Sequence, residues 1–94
     1  MDPNNKNIQL IKYIFKHYNS LYNNLSELLI TNSLITLITD QRTEILIDPR
    51  KAINNINKLK NFENSINSIK KIDDHKYINL IYQNQIVVKE RIYI

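Results

Sequence analysis

Few side chains in this sequence are of the types that do chemistry, and their spacing is poor for a reactive site. The two histidines lie far apart, with His17 in a helical pattern and His75 directly after Asp73 and Asp74. A zinc site needs about three or four ligands, and the sequence offers no cysteine to complete one. We therefore predict no metal site, and we interpret Asp73 and Asp74 as polar residues that solvate a turn beside His75.

The other reactive residue types do not combine into a catalytic set. Catalysis needs acids, bases or nucleophiles that share one geometry, whereas Asp40 and Asp48 already have duties in a turn and a helix cap. There is no glycine, so the usual phosphate-binding loops cannot form. No serine lies in a nucleophile-elbow motif. We predict that the chain is not an enzyme, and that it has no catalytic residues and no cofactor.

The most informative stretch is the last part of the sequence, 76–94. Two β-rich segments, 77–82 and 86–94, are separated by Gln83, Asn84 and Gln85, which is the pattern of a β-hairpin. No residue follows the second segment, so we expect its outer side to be open to a partner strand. The predicted partner-binding residues lie on this segment and at the end of the first: Tyr82, Ile86, Val87, Val88, Lys89, Arg91 and Tyr93.

The charges near the end of this segment have a second interpretation. Lys89, Glu90 and Arg91 are the kind of residues that keep an exposed strand from pairing with other chains. The edge would then be capped by charge and bind nothing. An open edge also allows a strand-paired homodimer, and the sequence does not decide between these states.

Composition leaves one rival function. The 94 residues carry a formal net charge of +4, and a basic chain with six tyrosines is compatible with a small nucleic-acid-binding protein. The basic residues are dispersed, however, and the abundance of Ile, Asn and Lys is typical of a low-GC genome, so a solvated surface explains the charge.

No apolar run approaches the ~20 residues that span a bilayer. We therefore expect a soluble chain, and a soluble piece of a membrane-anchored protein would have the same pattern.

Two segments have helical periodicity. The first helix is predicted over 5–22, with an apolar stripe on one side: Ile8, Ile11, Phe15, Tyr18 and Tyr22, widened by Leu10, Ile14 and Leu21. The second is predicted over 50–71, with Asp48 as its cap and Pro49 at its start. Its apolar stripe is Ala52, Ile53, Ile56, Leu59, Phe62, Ile66 and Ile69. Asparagines fill its outer face, Asn55 among them, and allow a break near 62.

The remaining segments favour strands. A short strand is predicted over 25–31, and a central hairpin over 34–47 turns at Asp40, Gln41 and Arg42. The order is therefore α-β-β-β-α-β-β in a single domain, 1–94. Sequential hairpins favour an α+β fold, in which a small, mostly antiparallel sheet carries its helices on one face.

Part of this pattern resembles a known family, the C-terminal β domain of the FtsQ/DivIB cell-division proteins. That domain has a hairpin, then a helix with a repeated KL-type apolar stripe, then a terminal hairpin. The matching residues here are NKLKNF at 57–62 and YINLIYQNQIVVK at 77–89, and these segments are most similar to the sequences of Bacteroidetes-type members. The order of elements agrees over most of the chain, while the specific similarity covers about twenty residues.

The chain departs from the family pattern at three points. The central turn has Asp40, Gln41 and Arg42 where the family usually has glycine, and residues 79–81 read NLI in place of an Asp-Leu-Arg type triplet. The family's cytoplasmic tail, membrane helix and POTRA domain are not in this sequence.

The resemblance implies a scaffold in the divisome. In the family, the last strands of this domain offer an edge to which a division protein of the FtsB/FtsL type adds a strand. It further implies a location on the extracytoplasmic side of the inner membrane and a role in septum formation. The expectation is thus a non-enzymatic protein-interaction domain, without a small-molecule substrate, that binds its partner at the C-terminal edge.

Overall fold

The computed structural model describes the backbone of residues 4–66 and 69–92, and side chains from residue 8 onward. Two short 3₁₀ helices, Pro49–Lys51 and Ile72–Asp74, precede the last long helix and the fourth strand. The helices and strands, in chain order, are α1 (Asn4–His17), α2 (Asn19–Asn24), β1 (Leu25–Ile30), β2 (Ile35–Thr39), β3 (Glu44–Ile47), α3 (Ala52–Ile66), β4 (His75–Asn79) and β5 (Val87–Glu90). The predicted α+β class and element order are confirmed.

The strands form one five-stranded sheet in the order β1-β2-β3-β4-β5. Every neighbouring pair is antiparallel except β3 and β4, which are parallel. A parallel pair cannot be joined by a tight turn, and α3 supplies the long crossover that connects β3 to β4. The sheet is thus mostly antiparallel, as the sequence predicts.

The core lies between one face of this sheet and the helices. Alternate residues of neighbouring strands meet on that face: Leu37 is opposite Ile45, and Ile45 is beside Ile78. All three are fully buried. The helices contribute the other half of the same hydrophobic cluster: Leu10, Ile14, Tyr18, Leu21, Ile56 and Leu59. Since side chains alternate across a strand, burial alternates along β3, where Ile45 and Ile47 face the helices, whereas β2 in the interior of the sheet is buried at all five positions.

The predicted single helix over 5–22 is wrong, because the chain leaves helical geometry at Tyr18, where φ is −144° and ψ is 61°. The Tyr18 ring is buried in the core, and its hydroxyl donates a hydrogen bond to the Glu63 carboxylate on α3. Burial, with help from the Glu63 carboxylate, raises the pKa of the Tyr18 phenol far above its usual range. A contact with a distant helix therefore accompanies the break, which local propensity does not reveal.

The apolar stripe of α1 is also rotated from the predicted one. Leu10 and Ile14 are buried, whereas Ile8 is about half exposed and Phe15 is 56% exposed. Phe15 instead stacks edge-on against Tyr22, with 5.0 Å between ring centroids. Apolar residues cover more than one side of this helix, and the sheet buries only one flank of them.

The second helix differs from its prediction at both ends and in the middle. Residues Pro49–Lys51 form a 3₁₀ turn, and α3 then continues unbroken through position 62 to Ile66. Ile69 lies in the following turn and is exposed; residues 67 and 68 lie outside the described part of the chain. Asn55, which the sequence predicts on the outer face, is instead buried and accepts a hydrogen bond of 2.9 Å from the Asp48 backbone N–H.

The central hairpin agrees closely with the sequence. β2 and β3 fall within 34–47, and the connection between them contains Arg42 at φ 70°. A non-glycine residue in this left-handed region is uncommon, and a chain without glycine must place another residue there. The predicted strand over 25–31 is present as β1, one residue shorter.

The burial pattern of α3 leads to a stability prediction. Leu59→Ala removes a fully buried side chain and should lower the free energy of unfolding by about 2–5 kcal/mol. Ile53→Ala, on the same helix, removes a side chain that is 48% exposed and should cost far less. Urea unfolding followed by circular dichroism measures both. Equal losses would contradict the assigned core face.

Asp48 leads to a prediction about acid. Its carboxylate accepts hydrogen bonds from the Arg50 backbone N–H at 2.9 Å and from the Arg50 side chain, and these bonds lower the pKa of Asp48. A carboxyl with a lowered folded-state pKa stabilises the fold above its unfolded pKa of about 3.9, and this contribution disappears as pH falls through the folded value.

Asp48→Asn keeps an acceptor oxygen but cannot titrate. The variant should therefore lose less stability than the parent chain as pH falls below about 4. Thermal unfolding midpoints recorded from neutral pH down to acid pH compare the two slopes. Parallel slopes would show that Asp48 does not contribute to acid unfolding.

Candidate partner-binding edge

The terminal hairpin forms with shorter arms than the predicted 77–82 and 86–94. Its strands are β4 and β5, and Gln83 and Asn84 form the turn, with Asn84 at φ 62°. β4 ends at Asn79 because the Asn79 side-chain oxygen accepts a hydrogen bond of 3.0 Å from the Ile81 N–H, which turns the chain out of the ladder. A register irregularity between His75 and Tyr77 further shortens regular pairing.

β5 is one edge of the sheet, as the hairpin pattern predicts. Its only neighbour in the sheet is β4, so within the described residues its other side has no strand partner. The backbone N–H and C=O groups on that side are the ones that strand addition would use. Four residues of regular strand, Val87–Glu90, present this edge.

Three of the predicted partner-binding residues lie together on this strand. Val88 is opposite Ile78, which places it on the face that the helices cover, although it is 37% exposed. Val87 and Lys89 lie on the other face of the sheet. A docking strand would therefore meet an apolar side chain on one face, and an apolar and a cationic side chain on the other.

The other predicted residues have different surroundings. Ile86 is partly buried and packs against the core, so it anchors the start of β5. Tyr82 is exposed beside the turn, where its ring is accessible at the hairpin tip. Tyr93 lies outside the described residues.

Arg91 is engaged within the chain. Its Nε donates to the Asp73 carbonyl at 2.8 Å, and its Nη2 donates to the Thr43 hydroxyl at 3.1 Å and to the Gln41 carbonyl. Its backbone N–H donates to the Asp74 carbonyl at 3.1 Å. We therefore reassign Arg91 from contacting a partner to fastening the end of β5 to the loop before β4 and to the β2–β3 turn.

The loop residue Asp73 is the centre of a wider polar network, which sequence reasoning missed. Its carboxylate accepts hydrogen bonds from the Thr39 hydroxyl at 2.7 Å and from the Asn24 side-chain amide at 2.8 Å. Together with the Arg91 bond to its carbonyl, Asp73 joins α2, β2 and the end of β5. Its role is thus structural, and no local pattern in the sequence relates Asp73 to Asn24, Thr39 or Arg91, because these residues are distant along the chain.

Lys58 fastens the other end of the hairpin. Its Nζ donates to the Leu80 carbonyl at 3.0 Å and to the Tyr82 carbonyl at 2.6 Å, both just after β4. Burial, and secondarily the charge of Lys51, lowers the pKa of the Lys58 ammonium group. Near the opposite end, Lys70 forms an ion pair with Glu90 on β5, which contributes little because such exposed pairs are weak.

The residues considered for metal binding make contacts within the chain instead. His75 is buried, and its Nδ1 lies 3.2 Å from the Ile72 carbonyl oxygen. Its ring packs against Phe62, with 5.8 Å between the ring centroids. Within 4–66 and 69–92, no group of three or more His, Cys, Asp or Glu side chains is arranged to hold a metal ion. Over the same residues, no helix has the length and apolar character needed to cross a membrane.

Comparison with known proteins adds no relative. Neither protein-family models, nor curated proteins, nor solved structures give a match to this chain.

The bonds of Arg91 lead to a prediction. Arg91→Ala removes the donors to Asp73, Gln41 and Thr43, and should lower the free energy of unfolding by about 1–3 kcal/mol. Hydrogen exchange at the β5 amides should accelerate more than exchange in α3, because the loss is local. The matched change Lys89→Ala, at an exposed β5 residue, should be close to neutral. Equal exchange in both variants would contradict the role assigned to Arg91.

Proposed function

We propose that this chain is a non-enzymatic protein-interaction domain that binds an extended segment of another protein by strand addition to β5. The observation that carries the proposal is the open edge of β5 between two fastened ends. Lys58 holds the hairpin near its turn, and Arg91 holds the end of the strand. An edge that is already ordered loses little conformational entropy on binding, which favours affinity.

The side chains of β5 indicate what the partner segment looks like. Main-chain hydrogen bonds give affinity in strand addition, and alternate side chains give selectivity. A partner residue beside Val88 would be apolar, while one beside Lys89 would be acidic or polar, since opposite charges on neighbouring strands stabilise the pair. The expected ligand is therefore a short β-forming segment with an acidic residue next to an apolar one.

The resemblance to the FtsQ/DivIB β domain supplies a biological setting for this proposal. We propose that the partner is a division protein of the FtsB/FtsL type, and that the complex acts in septum formation on the extracytoplasmic side of the inner membrane. The order of central hairpin, helix and terminal hairpin in the described fold is the order that the resemblance predicts.

Nucleic-acid binding is the less favoured proposal. A stacking platform needs accessible aromatic rings beside free cations. Tyr18 is buried, and Lys58, which lies beside the exposed Tyr82, donates to the Tyr82 carbonyl and is not free. Lys58 and Lys60 both donate to backbone carbonyls of the same chain.

Binding to recombinant FtsB-like and FtsL-like proteins from the same genome tests the proposal. Val88→Glu introduces a buried charge into the seam of the complex and should weaken partner binding about tenfold or more, while circular dichroism stays unchanged. Leu29→Glu, on the opposite edge strand β1, is the matched control and should bind like the parent chain. Biolayer interferometry measures all three proteins.

Two results would contradict the proposal. Binding that is unaffected by Val88→Glu would exclude β5 as the docking strand, and no binding by the parent chain would remove the division partners. A titration with single-stranded DNA is the parallel measurement, because binding that falls steeply with salt would favour the nucleic-acid alternative.

A further inference from the structure

The sheet has a second edge that the sequence pattern did not single out. β1 pairs only with β2, so within the described residues its outer side has no strand partner. It is longer than β5, with six residues against four, and it carries a single charged residue, Glu27. Leu29 is 51% exposed and Ile30 is 41% exposed on this strand. Long apolar edges of this kind normally pair or are covered, because they are templates for strand addition.

The hydrogen-bond pattern shows which backbone groups of β1 face outward. The Thr31 N–H donates to the Leu34 carbonyl at 2.9 Å at the open end of the β1–β2 ladder. In an antiparallel ladder, bonded and non-bonded pairs alternate. Ile30 and Leu28, opposite Ile35 and Leu37, are therefore in the non-bonded positions, and their N–H and C=O groups point away from β2.

A partly apolar groove runs beside this edge on the helix side. Ile11, Tyr22, Leu25 and Leu28 supply its apolar lining, and it is also lined by the polar residues Asn23, Ser26 and Glu27. Phe15 extends the apolar surface through its edge-on contact with Tyr22. The exposed flank of α1, which the core does not use, therefore lies next to the open strand.

The charge at this edge is balanced within one chain. Glu27 forms an ion pair with Arg42 of the β2–β3 connection, with 2.9 Å between Oε1 and Nη1. The edge strand thus presents no uncompensated charge to an approaching copy of itself. By contrast, two β5 strands would bring together edges that each carry Lys89, whose charge no salt bridge within the described residues balances, whereas Glu90 is paired with Lys70.

We infer that β1 pairs with β1 of a second copy of this chain, antiparallel about a twofold axis. The outward-facing backbone N–H and C=O groups of one copy must bond the outward-facing backbone groups of the other. Leu28 and Ile30 therefore lie opposite Leu28 or Ile30 of the second copy. Directly opposed residues of an antiparallel pair point to the same face. The helices of both copies therefore lie on one side of a continuous ten-stranded sheet, and the two grooves adjoin across the seam.

Self-pairing fits the surface better than capture of an unrelated segment. A twofold interface needs a patch that complements itself, and here the same strand supplies both the open edge and the side chains that enter the neighbouring groove. Leu28 and Ile30 point to the helix side, where Ile11 and Tyr22 line the groove.

The strand and the side chains beside it offer apolar surface on both faces of the sheet. A strand of six residues is about 20 Å long, and the exposed side chains Phe15, Tyr22, Leu29 and Ile30 border it. Leu29 lies on the open face of the sheet and Ile30 on the helix side, so a second strand added here would cover apolar side chains on both faces.

Sedimentation velocity of the full chain across micromolar concentrations tests the inference. The parent chain should sediment as a dimer. Leu29→Glu places like charges next to each other in the seam and should raise the dimer dissociation constant about tenfold or more. Val88→Glu, on β5, should leave it unchanged. Circular dichroism confirms that each variant is folded.

A second variant tests the backbone pairing itself. Ile30→Pro removes an outward-facing N–H without removing a bond to β2, and should give monomers, whereas Ile30→Val should remain dimeric. A parent chain that stays monomeric throughout overturns the inference, as does a dimer that survives both Leu29→Glu and Ile30→Pro. A dimer lost only in Val88→Glu would place the seam at β5. Partner binding is measured separately, so failure of the dimer does not affect the proposed function.

Discussion

The parallel pairing of β3 with β4 constrains the rest of this structure. Strands that run in the same direction need a long connection, and α3 provides it by crossing the sheet on one face. That crossing presses Ile56 and Leu59 onto the strands and fixes which face is the core. It also places β4 in the interior of the sheet, so that β5 is the outermost strand on that side within the described residues.

Polar contacts hold that last strand in place in a small domain without disulfides. Asp73 lies in the loop before β4 and accepts hydrogen bonds from α2 and β2, while its carbonyl accepts the Arg91 side chain. Lys58 bonds two carbonyls at the other end of the hairpin. A strand of four residues with one neighbour would otherwise be weakly held, because local stability depends on the number of such contacts. These bonds keep the short edge strand ordered, which the proposed docking role requires.

The two edges of the sheet differ in physical character, and this difference separates their proposed roles. β5 carries Lys89, a charge that opposes self-association and favours pairing with a complementary strand. β1 is longer, its one charge is paired with Arg42, and a partly apolar groove adjoins it. An edge of the first kind suits a different protein, and an edge of the second kind suits a copy of itself. One sheet can then hold a dimer at one side and a partner at the other.

Local features of this protein are predictable from its amino-acid sequence alone. Apolar periodicity predicts the helices and strands, Asp48 and Pro49 mark the start of the second helix, and the residues around Asp40 and Asn84 mark the two hairpin turns, because each of these signals depends on neighbouring residues. Features that depend on contacts between distant residues are seen only in the folded chain. The break in the helix at Tyr18 accompanies the hydrogen bond from Tyr18 to Glu63, and the buried Asn55 side chain bonds the Asp48 backbone. The Arg91 side chain bonds the Asp73 carbonyl of the same chain. Only the order of strands in the sheet made β1 an edge as well as β5, since strand pairing joins residues that no local pattern relates.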